Sequence, residues 1–185
     1  YLRKGVKFHN GNDFTADDVI FSANRVRSQG SDLKTRIPAD AKFVKVDDHT
    51  VDVVLTKPNP ILHYEWETWG IMDAEWTKEN GAEKVTSASD TQTNFAGLNA
   101  NGTGPFKIIS HQPDVKTVFE PNGAWWGKAE HNLTRVEFTP IASDATRVAA
   151  LLSGELDMVY PAPVQDQPRV RSNASTEVLA GPELR

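Results

Sequence analysis

The chain has 185 residues, of which 38% are hydrophobic and 24% charged, with a formal net charge of -5 and a sequence pI of about 5.5. This acidic balance argues against a nucleic-acid surface, since phosphate binding rests on clustered Lys and Arg. With no cysteine there is neither a disulfide framework nor a thiolate zinc site, and no apolar run approaches the roughly 18 to 20 residues needed to span a bilayer.

The length fits one domain or one large lobe. Residues 2–8 read as a strand with Leu2, Lys4, Val6 and Phe8 on one face, and His9-Asn10-Gly11-Asn12-Asp13 reads as the turn after it. Thr15-Ala16-Asp17-Asp18 has the form of a capped helix start, with Thr15 placed to accept from the third helical N–H and the acids placed where the helix dipole favours them. Val19, Ile20, Ala23 and Val26 make the apolar stripe of that helix, and Arg25, Arg27 and Gly30 suit its end. Residues 41–46 and 50–55 read as a hairpin joined by Asp47-Asp48-His49, which Lys57-Pro58-Asn59-Pro60 then interrupts. Residues 61–69 are the most aromatic stretch and read as a helix that turns at Gly70. A short helix over 73–80 follows, and residues 81–101 are mostly loop.

The stretch 101–161 is the strand-rich part. Gly102-Thr103-Gly104 marks a turn, residues 106–110 and 115–119 alternate as half-buried strands around Gln112-Pro113-Asp114, and residues 135–140 repeat the alternation with Val136 and Phe138 on one face. Ser143-Asp144 caps a helix with Ala145, Val148, Ala149 and Leu152 in one stripe, and Gly154 ends it. Residues 156–159 read as a further strand, 163–171 as a last helix and 176–179 as a terminal strand.

Several of these stretches resemble the extracellular solute-binding proteins of family 5, the peptide, oligopeptide and nickel receptors of ABC importers. The likeness runs in matching order through Leu2-Arg3-Lys4-Gly5-Val6-Lys7-Phe8-His9-Asn10-Gly11, Phe14-Thr15-Ala16-Asp17-Asp18-Val19, Gly102-Thr103-Gly104-Pro105-Phe106, Trp126-Gly127, Thr146-Arg147 and Gly154-Glu155-Leu156-Asp157. Asn10 stands where that family usually has Asp, and Ala100-Asn101 replaces the usual Pro-Ile or Pro-Val. The resemblance implies an α/β fold, a mixed sheet with flanking helices, in which residues 1–185 form a single lobe: most of the first lobe of a two-lobed, type II periplasmic-binding-protein fold, with the second lobe absent. It further implies binding of peptides or similar small solutes, including oligosaccharides or nickel in related receptors, between lobes that close about a hinge. The expected setting is the periplasm or cell envelope, as a monomer delivering ligand to membrane permease subunits, with no cofactor, no metal and no catalysis.

By the same resemblance residues 64–72 lie beside the cleft, and Trp66, Thr68, Trp69 and Gly70 are the expected ligand-binding residues. Trp66 and Trp69 each offer a rigid aromatic face and one N–H donor. Tryptophans at i and i+3 on a helix also suit a core. A ligand-facing Trp69 predicts that Trp69→Ala weakens binding while the melting temperature stays nearly unchanged; a core Trp69 predicts a large loss of stability. Trp125-Trp126-Gly127 reads as a structural turn, and Gly102-Thr103-Gly104 lacks the Lys and following helix of a phosphate loop. The alternative of a glycoside or peptide hydrolase using Glu65 and Glu67 meets the objection that residues i and i+2 of a helix point apart. The same geometry keeps His63, Glu65 and Glu67 from converging on a metal.

Overall fold

The computed structural model describes residues 1–87 and 89–181, and the chain divides into two compact units, Tyr1–Phe138 and Thr139–Arg185. In the first unit α1 (Ala16–Val26) starts at Thr15. The Asp18 carboxylate accepts from the Thr15 backbone N–H at 2.8 Å and from its hydroxyl at 3.1 Å. The helix packs on a hairpin of β1 (Lys42–Asp47) and β2 (Thr50–Val54). Phe43 opposite Val53 fixes their antiparallel register. Ala23, Val26, Ile37, Ala41 and Trp69 form the buried cluster, with Leu33, Phe43, Leu55, Trp66 and Ile71 packed around it. Burial of each large side chain there is worth roughly 1.5–3 kcal/mol. Of the expected α1 stripe, Ala23 and Val26 are buried while Val19 and Ile20 are half-buried.

Beyond the hairpin come α2 (Leu62–Glu65), a 3-10 turn (Trp66–Thr68), α3 (Ala74–Glu79) and α4 (Phe95–Leu98). A second sheet follows in the order β3 (Phe106–Gln112), β4 (Lys116–Pro121), β5 (Val136–Phe138), antiparallel throughout. The α/β architecture read from the sequence is present, with its strands in two antiparallel sheets; no parallel pair occurs among the described residues. The β3–β4 register shifts between Ile108 and Ser110, so Ile109 is the extra residue and its side chain is 54% exposed. That bulge is why the alternation expected over 106–110 does not bury Ile109.

The second unit contains α5 (Asp144–Ser153), a 3-10 turn (Val164–Asp166) and α6 (Gln167–Ser172). Ser143 caps α5 by accepting from the Thr146 N–H, and Gly154 closes it in the left-handed region at φ 80°. Val148 and Ala150 are its buried side chains; Ala145 and Ala149, expected in the stripe, are exposed.

Five expectations change. Residues 2–8 form no strand: Gly5 turns the backbone to φ 73°, and only a single bridge joins Lys7 to Asp13, although Val6 and Phe8 are buried as the alternation implied. Residues 156–159 and 176–179 are not strands either, since no described strand offers them a backbone partner. The helix expected over 61–69 is one α turn that tightens into the 3-10 turn. The last helix, expected over 163–171, divides between the second 3-10 turn and α6.

Candidate functional site

The aromatic segment between Pro60 and Asp73 is where the expected ligand-binding residues fall. Its outer side is exposed: Ile61 and Tyr64 are 55% and 66% accessible, and the His63 ring lies tilted against Tyr64 with centroids 4.0 Å apart. On its inner side Trp66 lies 5.9 Å from Phe43 and meets Trp69 edge-on at 6.3 Å. The four residues divide by environment. Thr68 and Gly70 are exposed, Trp66 is half-buried, and Trp69 is only 8% exposed, within the core cluster.

Both indole Nε1 atoms, of Trp66 and of Trp69, are buried without a hydrogen-bond partner in the protein. An orphaned buried donor costs about 1–3 kcal/mol; Trp125 Nε1 and Arg147 Nε are buried without a protein partner in the same way. The other polar groups near Trp66 and Trp69 are taken. The Thr68 hydroxyl donates to the Glu65 carbonyl at 2.8 Å, and the Glu65 carboxylate forms an ion pair with Arg36 at 2.8 Å. Glu67 sits exposed in the 3-10 turn. Glu65 and Glu67 therefore do not form a facing acid and base. Among the described residues no group of three or more His, Asp or Glu side chains is arranged to hold a metal.

The wall continues into an extended strap, residues 70–73, that is tied down toward its C-terminal end. Ser22 Oγ accepts from Met72 N at 2.8 Å, and Asp18 Oδ1 accepts from Ala74 N at 2.9 Å. Beside Met72 lies an open concavity of about 340 Å³ whose lining includes Arg25, Leu33, Val85 and Asn94. At the end of the strap Asp73, 2% exposed, accepts at Oδ1 from Trp76 N at 3.0 Å, capping α3. Its Oδ2 accepts from the side-chain amides of Asn10, Asn12 and Asn101, each at 2.9 Å. Sequence reasoning missed this node. Its only signal was polar turn residues in Asn10-Gly11-Asn12 and Asn101-Gly102, and nothing local tells which acid they meet.

The Gly102-Thr103-Gly104 turn is held from the same side. His9 Nδ1 accepts from Gly102 N at 3.3 Å, and with that nitrogen bare its Nε2–H donates to Gly104 O at 3.1 Å. Burial pushes the His9 imidazole below its ordinary value; the Gly104 carbonyl pulls it up, and Lys107 pushes it down again. Trp126 Nε1 donates to Thr103 O at 3.1 Å, with Arg3 4.3 Å above its ring. Trp125 lies so close over Gly127 that a Cβ there would come within 2.5 Å of the indole, so this second aromatic pair is a structural turn.

The family model described as bacterial extracellular solute-binding proteins, family 5 Middle, matches residues 1–185. The probable D,D-dipeptide-binding periplasmic protein DdpA of Escherichia coli K12 is 28% identical over the whole of this chain and 34% of its own length. The dipeptide-binding protein of the same organism is 30% identical over the whole chain and 37% of its length. In fold, the binding protein AgaA from A. tumefacien R10, solved with agropinic acid, superimposes with a TM-score of 0.77 at 22% identity, covering 94% of this chain and 34% of that one. The chain thus spans about a third of the length of the proteins it matches.

Proposed function

This chain belongs to family 5 of the bacterial extracellular solute-binding proteins, and from that premise we propose that it is part of the receptor of an ABC importer that binds peptides or similar small solutes and passes them unchanged to membrane permease subunits. The observation that carries the reading is the family match over residues 1–185, with relatives named for dipeptides. In this reading residues 1–185 are most of one lobe, the remainder of the parent supplies a second, and the receptor works as a monomer in the periplasm or at the cell envelope. Ligand held between two lobes stabilises the closed form by the difference in its affinity for the closed and open states.

Trp66, Thr68, Trp69 and Gly70 are the ligand wall of this lobe. Two facts support that assignment: the pair of indole N–H groups with no protein acceptor, and the exposure of Thr68 and Gly70 beside them. Both N–H groups are covered in this structure, so a peptide carbonyl or carboxylate reaches them only once the atoms over them move aside. The hydrolase alternative has nothing comparable, because the Glu65 carboxylate is engaged by Arg36.

The test is thermal denaturation of the full-length parent with dipeptides such as Ala-Ala and Met-Leu, glutathione, oligosaccharides and nickel–histidine. At a hundredfold excess over the dissociation constant a true ligand adds about 2.7 kcal/mol, a shift of several degrees. No shift with any of them, or hydrolysis of the added peptide, defeats the proposal.

A further inference from the structure

We infer that Asp73 is a positioning residue for the ligand wall: with Asn10, Asn12 and Asn101 it forms a knot of hydrogen bonds that holds the strap after Gly70, and with it Trp66 and Trp69, in the orientation that grips a solute. The inference rests on the assignment of the wall made above.

The chemistry of the knot admits only a carboxylate at its centre. Asn101 Oδ1 accepts from Asn10 N at 3.1 Å, and Asn10 Oδ1 accepts from Asn12 N at 3.0 Å. Those backbone N–H groups fix which end of each carboxamide faces inward, so the NH2 ends of Asn10 and Asn101 point to Asp73. Asn12 joins them, its amide also 3.3 Å from Glu75. The Asp73 carboxylate thus meets donors on both oxygens: Trp76 N at Oδ1 and three amides at Oδ2. A carboxamide at position 73 has to turn its own NH2 toward one of those donor sets. No cation forms an ion pair with Asp73 among the described residues, so these dipoles alone hold a charge that is almost wholly buried.

The knot gathers distant pieces of chain. Asn10 and Asn12 belong to the turn that His9 ties to Gly102 and Gly104, Asn101 begins the approach to β3, and Asp73 ends the strap only three residues beyond Gly70. Upstream, the ion pair of Glu65 with Arg36 anchors the other end of the aromatic segment. The wall is therefore fixed at both ends, which limits the freedom its side chains lose when a ligand binds.

The experiment uses the full-length parent and compares wild type with Asp73→Asn, Asn101→Ala and, as a control that belongs to the second compact unit, Val148→Ala. Each is measured for affinity toward Ala-Ala and Met-Leu, for melting temperature, for acrylamide quenching of Trp69 fluorescence in a background where the other tryptophans are Phe, and for hydrogen exchange over residues 70–74. The inference predicts that Asp73→Asn weakens peptide binding roughly tenfold or more, raises quenching of Trp69 and speeds exchange in the strap, with Asn101→Ala shifting the same readouts less. Val148→Ala lowers the melting temperature without changing affinity or quenching. If Asp73→Asn does not fold, Asn101→Ala decides. Wild-type affinity and quenching in the folded knot variants overturn the inference, as does loss of affinity in proportion to melting temperature across all variants, control included. Binding by wild type that Trp69→Phe and Thr68→Ala leave untouched, with exchange in the strap still responding to Asp73→Asn, defeats the wall assignment and, with it, the role inferred for Asp73 in gripping ligand, leaving only its hold on the strap.

Discussion

Trp69 shows how one side chain answers to two demands. Its ring is packed with Ala23, Val26, Ile37 and Ala41, so the expectation that Trp69→Ala leaves the melting temperature unchanged gives way: truncation should cost about 3–5 kcal/mol, read by denaturant unfolding. Its indole N–H is unpartnered, so Trp69→Phe removes the donor together with part of the ring system while keeping one aromatic ring in the core. That variant should lose less stability than Trp69→Ala, and lose ligand affinity by about tenfold if the N–H meets a ligand acceptor.

His9 makes a different prediction. Its folded-state value lies below 6.5, chiefly through burial, and the neutral ring is what accepts from Gly102 N. A base whose folded value is depressed contributes stability that is full above the unfolded value of about 6.5 and is lost as pH falls through that value toward the folded one. Melting temperature should therefore drop between pH 7.5 and 5.5 by more in wild type than in His9→Gln. An equal drop in both removes His9 as the cause.

At the scale of elements, what the sequence made legible was whatever is fixed locally. Ser143, Asp144 and Gly154 mark both ends of α5, and the structure places the N-cap and the left-handed closing residue there. Gly154→Ala, at φ 80° with no neighbour for the added methyl, should cost about 1–2 kcal/mol from backbone strain alone, measured as a lowered unfolding midpoint. The hairpin of β1 and β2 was legible because alternation and a short polar turn coincide in residues 42–54. What failed depended on partners out of sight. Residues 156–159 have the composition of a strand but meet no strand to pair with among the described residues. The Gly5 turn breaks an alternation that Val6 and Phe8 otherwise satisfy. The Asp73 knot joins residues up to 91 apart, and its members look from the sequence like ordinary turn and cap residues. The aromatic segment was recognised, yet its conversion to a 3-10 turn, which sends Trp69 inward, was not legible because packing against Phe43 and Ile37 decides it.

For the molecule as a whole, the family model matches every residue and the chain spans about a third of the length of its relatives; in the function proposed above, these residues are one part of a larger receptor. Ligand affinity then belongs to the parent, because contacts from one lobe alone forgo the differential stabilisation of a closed state. The most direct measurement is isothermal titration of the full-length parent with Ala-Ala and Met-Leu, followed by recovery and mass analysis of the peptide. The account predicts saturable binding of one peptide per protein, a negative heat-capacity change from burial of the ligand, and peptide recovered intact. Cleaved peptide, or no heat of binding from the dipeptides, glutathione and nickel–histidine alike, contradicts it.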